Sequence, residues 1–353
     1  MKKIQDFVLR GKDIFIGLED SKRSWKVCVR SEGMIVHETS MPADYEVLRK
    51  YLQQKYPTCR ASLMYEAGFG GFWLHDLLVA DGVDCIVTPA HTVTEEKVNT
   101  VKTDRVDARR LAKNLENGDY KRCQVPDKKR REDRQISRTL NQMQREITST
   151  KNRIRKFLDY HGLNQGFAAG EWKKSDYQRV KDLKLSHSLQ VSLDAYFRIL
   201  EALETIKKDL LLELKALCRK ERYRQSVEIK QSFPGVGWLS AIRLTLEWGK
   251  MTRFGSGKKL ASFVGLASRE HSSGEQVHRG RITAQGSGIV RAWLIQCAWR
   301  ALSLDPVLLA KFQAVWRNSG SKKKAIVAVA RKLVVRMRAL EIVQQPYYLG
   351  VME

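Results

Sequence analysis

Apolar and polar positions alternate from the start of the chain. Ile14, Ile16 and Leu18 share one face of a strand, and Phe15, Gly17 and Glu19 share the other. Two more strand-like runs, Ser24–Arg30 and Met34–Thr39, flank the turn residues Ser31-Glu32-Gly33. The period then lengthens, and Val47, Leu48 and Leu52 mark a helix over 44–56. Next come a strand over 61–66, a glycine-rich turn Ala67-Gly68-Phe69-Gly70-Gly71, a helix through Leu78 and a strand over 84–89. A further helix carries Asp104 and Asp107. The order βββαβαβα predicts a mixed α/β sheet, three hairpin strands followed by parallel units, with helices packed on it.

From 127 to 160 the pattern becomes that of one long helix. Ile136, Leu140, Met143, Ile147, Ile154 and Phe157 make a heptad seam, with Thr150 filling the gap. A Gly-, Asn- and Ala-rich break spans 161–174, and a second long helix over 188–222 carries the seam Tyr196, Leu200, Leu203, Leu210, Leu214 and Leu217. Such helices form an antiparallel hairpin, an arm that joins copies of the chain, or plain packing helices. A third region starts near 229. Its Phe233-Pro234-Gly235-Val236-Gly237 resembles the turn of a helix-hairpin-helix, whose backbone N–H groups hold a phosphate; a turn without a ligand fits equally well. The domains read as 1–125, 126–228 and 229–353. The first has the element order of the ribonuclease-H-like fold, and the last is mainly helical.

Composition narrows the partners. The 353 residues carry a net charge of +25, which draws polyanions. No apolar run approaches the roughly 20 residues of a membrane helix. No secretion signal is expected, and the six scattered cysteines, with no Cys-x-x-Cys, read as reduced cytoplasmic thiols rather than a zinc site. The C-terminal run Lys322-Lys323-Lys324, Arg331-Lys332 and Arg336-x-Arg338 alternates with apolar residues as a basic amphipathic helix, suited to phosphate contact or to packing on the core.

Two constellations carry chemistry. Glu19 and Glu66 end predicted strands, and the spacing of Asp104 and Asp107 puts both on one helical face. Converging carboxylates repel one another unless a cation such as Mg²⁺ neutralises them. Two divalent metals about 4 Å apart clamp the attacking and leaving oxygens of a phosphodiester. The second is Gly265-Leu266-Ala267-Ser268-Arg269-Glu270-His271-Ser272-Ser273-Gly274, followed by Arg279-Gly280-Arg281. A serine attacking DNA needs cations such as Arg269, Arg279 and Arg281 beside it. From the residues alone this stretch reads as a loop, with His271 incidental.

The chain resembles the DEDD-type insertion-sequence transposases, the group that includes the pilin-gene invertases and bridge-RNA-guided recombinases. Ile16-Gly17-Leu18-Glu19-Asp20-Ser21-Lys22, Tyr65-Glu66-Ala67-Gly68 and Thr103-Asp104-Arg105-Val106-Asp107-Ala108-Arg109 match its acidic motifs. Phe233-Pro234-Gly235-Val236-Gly237, Phe263-Val264-Gly265-Leu266, His271-Ser272-Ser273-Gly274 and Gly286-x-Gly288-x-x-x-Arg291 match its C-terminal domain. The resemblance implies a RuvC-like N-terminal domain that binds Mg²⁺ through Glu19, Glu66, Asp104 and Asp107. It implies a coiled-coil arm and a nucleophile at Ser273, with Ser272 as the alternative, that forms a 5′-phosphoserine on DNA. Arg269, Arg279, Arg281, Arg291, Lys322, Lys323 and Lys324 are then candidate nucleic-acid contacts. A dimer-to-tetramer assembly, donor and target DNA, a structured guide RNA and a cytoplasmic, nucleoid-associated location go with this reading. The family usually has Asp where this chain has Glu19; strand alternation favours Glu19 over Asp20, which it turns toward the core. The rival readings are a RuvC-like junction nuclease without a covalent intermediate and a non-catalytic nucleic-acid-binding scaffold.

Overall fold

The computed structural model describes residues 9–89, 103–167, 170, 172–273 and 276–349. The chain divides into two compact units, Met1–Val125 and Pro126–Glu353.

The first unit is built on a five-stranded sheet in the order β3-β2-β1-β4-β5. Its strands are β1 (Asp13–Glu19), β2 (Ser24–Ser31), β3 (Met34–Pro42), β4 (Arg60–Ala67) and β5 (Asp84–Pro89). β1 pairs antiparallel with β2 and parallel with β4, and β4 pairs parallel with β5. Helices α1 (Tyr45–Lys55), α2 (Trp73–Ala80) and α3 (Asp104–Asn117) complete the expected order. The alternation read in β1 has a physical use: its two faces meet different helices. Ile14, Ile16 and Leu18 are buried with Leu48, Leu52, Leu74 and Leu78 of α1 and α2. On the other side α3 lies across β1, β2 and β4. There Leu111 and Leu115 cover Met64 and Ile86, while Ala108 and Ala112 sit against Cys28.

The second unit is helical apart from one hairpin. Helices α4 (Lys128–Tyr160) and α6 (His187–Arg219), 33 residues each, run antiparallel, with α5 (Lys174–Lys181) in the connection. Ile147, Ile154 and Leu158 pack on Leu193, Phe197 and Leu200 at one end, and Leu140 groups with Leu214 and Leu217 at the other. Each such side chain contributes roughly 1.5–3 kcal/mol by leaving water. The two seams therefore meet each other within the chain.

The remaining helices are α7 (Glu221–Gln231), α8 (Trp238–Trp248), α9 (Gly257–Phe263), α10 (Gly288–Ala301), α11 (Pro306–Ser319) and α12 (Lys322–Val343). They share a core that includes Phe233, Trp248, Leu294 and Leu333. The basic helix α12 is held to α7 by an ion pair. Lys230, 0% exposed, donates to Glu341 Oε2 at 2.5 Å and to Ser226 Oγ at 2.7 Å. Two basic residues of α12 serve the fold rather than solvent: Arg336 donates to Tyr347 Oη at 2.9 Å and Arg338 Nε to the Phe254 carbonyl at 2.8 Å.

The stretch expected as a loop around Ser272 is instead an antiparallel hairpin, β6 (Ser268–Ser273) with β7 (Gln276–Ile282). Only Val277 and Ile282 in these strands are apolar, so no alternation announced them; backbone pairing holds them. Among the described residues no helix is long and apolar enough to cross a membrane, and all six cysteines are free.

Candidate active site

Helix α3 is placed against β1 by a missing side chain. A Cβ on Gly17 would lie 2.0 Å from the Ala108 carbonyl oxygen and 2.4 Å from the Ala112 backbone nitrogen. With only hydrogen at Gly17 and methyl groups at Ala108 and Ala112, helix and strand backbones approach closely. Thr103 caps the helix, its Oγ1 accepting from Val106 N at 3.4 Å. Asp104 and Asp107 then occupy the first turn, where the helix dipole favours carboxylates.

Asp107 (8% exposed) continues the buried stripe of Ala108, Leu111, Ala112 and Leu115 toward the end of β1, which ends in Glu19. Leu18 pairs with Tyr65 in the parallel register, so Glu19 and Glu66 come next on neighbouring strands. The carboxylates feel one another. Burial, then the charges of Asp107, Glu66, Asp20 and Asp104, raise the Glu19 pKa from 4.5 to about 7. Asp20 is not turned into the core as alternation suggested, because β1 ends one residue earlier. It is half-buried, and a Cβ on Gly70 would lie 2.2 Å from its Oδ2. Burial raises its pKa to about 6, with Glu66 adding to the rise and its own backbone amide opposing it.

Sequence reasoning did not identify Arg110. Its Nη2 lies 2.9 Å from Asp107 Oδ1 and 3.2 Å from Glu66 Oε1. The i,i+3 spacing from Asp107 was the available signal. Arg109, in contrast, faces away and pairs with Glu38, its Nη2 2.6 Å from Oε2. Among the described residues no three His, Cys, Asp or Glu side chains gather closely enough to hold a metal ion. The chemistry of the four acids nonetheless fits a hard divalent cation, since each would offer carboxylate oxygens, and burial followed by their mutual repulsion raises the Glu19 pKa. Arg110 already holds one oxygen each of Glu66 and Asp107.

In the second unit Ser273 is the last residue of β6, paired with Gln276, and Ser272 pairs with Val277. In the backbone register Arg279 lies opposite Glu270, and Arg269 and Arg281 are exposed. Arg291 fastens the base of the hairpin. Its Nη1 donates to the carbonyls of Gln285 (2.9 Å), Val264 (3.3 Å) and Gly286 (3.3 Å). Gly265 (φ +72°) and Gly286 (φ +75°) make this crossing possible: a Cβ on either would stand within 2.2 Å of a carbonyl oxygen. Lys322, Lys323 and Lys324 are exposed on the first turn of α12, with Lys322 over the Trp316 ring at 4.7 Å. Gly235 (φ +79°) lets the turn between α7 and α8 touch α10, where a Cβ would lie 2.5 Å from the Cys297 carbonyl oxygen.

Two family profiles match the chain, and the first runs past the end of the first unit. Residues 16–162 match a DEDD transposase profile of IS110 type, and residues 227–313 match the Transposase IS116/IS110/IS902 family. A putative transposase of Sinorhizobium fredii is 27% identical over 370 residues, covering 92% of this chain and 90% of that protein. The transposase for insertion sequence element IS1111A of Coxiella burnetii is 25% identical over 358 residues, 96% and 93% of the two chains. A pilin gene-inverting protein of Moraxella lacunata is 31% identical over 127 residues, 35% and 39% of the two chains.

Proposed function

The chain belongs to the IS110/IS116/IS902 family of DEDD transposases, and from that premise we propose how it cuts and rejoins DNA. It is an insertion-sequence transposase, an enzyme of DNA strand cleavage and transfer, and its family's DEDD domains depend on divalent metal.

The finer reading is as follows. Glu19, Glu66, Asp104 and Asp107 hold Mg²⁺. The metal, when bound, supplies positive charge that offsets the charge developing on a reacting phosphate. Ser273 is the nucleophile. Its Oγ forms a bond to the scissile phosphorus and gives up its proton, and the 3′ oxygen leaves as a hydroxyl, so that the 5′ phosphate stays on the protein. A 3′ hydroxyl of another strand reverses the step and rejoins DNA. Arg269, Arg279 and Arg281 neutralise the phosphate, and Lys322, Lys323 and Lys324 contact the backbone. Arg291 acts through the hairpin it fastens. A structured RNA selects donor and target DNA, and copies of the chain assemble as a dimer to tetramer. Resemblance to the family supports these last two features, and the +25 charge permits the RNA.

The observation that carries the metal reading is Glu19, whose proton affinity is raised by burial first and then by the neighbouring carboxylates Asp107, Glu66, Asp20 and Asp104. The test of the nucleophile is trapping of a covalent protein–DNA adduct. Ser273→Ala is expected to bind DNA and RNA yet form no phosphoserine, while Ser272→Ala keeps much of its activity. An adduct formed by Ser273→Ala moves the role to Ser272. Strand cleavage that needs the acids but neither serine identifies a metal-dependent junction nuclease.

A further inference from the structure

A cavity of about 820 Å³ lies in the second unit between α4, α8 and α10. Its size falls in the range of pockets that take small-molecule-sized groups. The buried cation lining it is Arg243, which is 5% exposed. Its Nη2 donates to Gln144 Oε1 at 3.3 Å, its guanidinium lies 4.8 Å over the Trp293 ring, and both of these residues also line the cavity. Its Nε has no partner, and among the described residues no carboxylate pairs with it. Glu247, one turn along the same helix, is taken by Arg138 at 2.9 Å and Arg134 at 3.7 Å. Burial alone lowers the Arg243 pKa, to about 10.

A buried guanidinium without a counter-ion is costly to a fold. The cavity also receives the N-terminus of α10, a 14-residue helix capped by Ser287, whose Oγ accepts from Val290 N at 3.4 Å. The first turn of a helix presents further backbone N–H groups and the positive end of its dipole. The exposed Arg145 adds charge at the lining. Every one of these groups favours an anion, and a planar fork beside a helix N-terminus suits the oxygens of a phosphate.

We propose that this cavity binds a phosphodiester group of a nucleic-acid strand, with Arg243 and the N-terminus of α10 as its ligands. The proposal rests on the transposase reading for the presence of nucleic acid. It concerns binding and is separate from the acidic cluster and from Ser273.

The test compares the full chain with Arg243→Gln and with Ala292→Glu, which puts a carboxylate at an exposed position of the cavity lining. DNA and RNA oligonucleotides are titrated in separate arms from 50 to 200 mM salt. Loss of one phosphate contact reduces the slope of log affinity against log salt by about one. Each variant is therefore expected to bind roughly tenfold more weakly at 50 mM, a deficit that shrinks about 3–4-fold by 200 mM. The arm in which the slope falls identifies the strand. Without ligand, Ala292→Glu is expected to melt at or above the wild-type temperature, because Arg243 gains a counter-ion. If Arg243→Gln fails to fold, Ala292→Glu decides. Unchanged slopes in both arms overturn the proposal and leave Arg243 as a packing residue on Trp293. Adduct formation by the wild type reports separately on the transposase chemistry.

Discussion

Glu19 keeps its proton up to about pH 7 because burial and four neighbouring carboxylates oppose its ionisation. Between pH 4.5 and about 7 the folded chain holds this proton and the unfolded chain does not. Metal-free stability therefore falls as pH rises through that window and levels off above it. A divalent cation competes with the same proton, so Mg²⁺ affinity should rise by up to about tenfold per pH unit below 7 and then flatten. Calorimetric titration of Mg²⁺ between pH 5.5 and 8 checks this; a flat profile contradicts it. Asp107→Asn removes the largest of the charges acting on Glu19. It should abolish strand transfer, as EDTA should, and move the pH dependence of binding toward acid. Full activity of Asp107→Asn, or in EDTA, ends the metal reading. Lys230 makes the opposite case, a buried charge fully partnered. Glu341→Gln strands it and should cost about 3–5 kcal/mol, measured by denaturant unfolding. A loss below about 1 kcal/mol would show that Ser226 suffices as its partner.

At the scale of elements, the acidic cluster depends on how closely α3 lies on β1. Gly17→Ala puts a methyl group into the backbone of Ala108 and Ala112, which cannot swing aside as a side chain can. The helix must retreat and carry Asp107 with it. A fall of roughly 5–15 °C in the melting of the first unit is expected, together with weaker Mg²⁺ binding. Unchanged melting would mean that the close approach is slack. The element order of this unit was legible because each element carries its own period and each turn its own residues. The places of Glu19, Glu66, Asp104 and Asp107 were legible because strand ends and a helical i,i+3 pair can be located from those periods. Arg110 and Arg243 were not, since what an arginine meets is decided by elements distant in sequence. Nor was the hairpin at 268–282, because polar strands held by backbone pairing leave no alternation to read. The heptad seams were plain, and only the structure showed that Leu140 and Ile147 meet their own chain.

For the whole molecule the surplus of 25 positive charges dominates. If most nucleic-acid contacts are to phosphates, affinity should fall about a thousandfold or more between 50 and 200 mM salt. Equilibrium binding across that range measures it, and a nearly level response would place the basic residues away from the interface. The paired 33-residue helices add a constraint of another kind. At about 1.5 Å per residue each spans about 50 Å. Removing one residue from either helix turns everything beyond it by about 100° and parts the seam. Removing seven from both returns the faces to within about 20° and shortens the arm by about 10 Å. The arm is thus a ruler with graduations: a matched change of seven residues in both helices keeps the two faces together, and a change of one residue in either parts them.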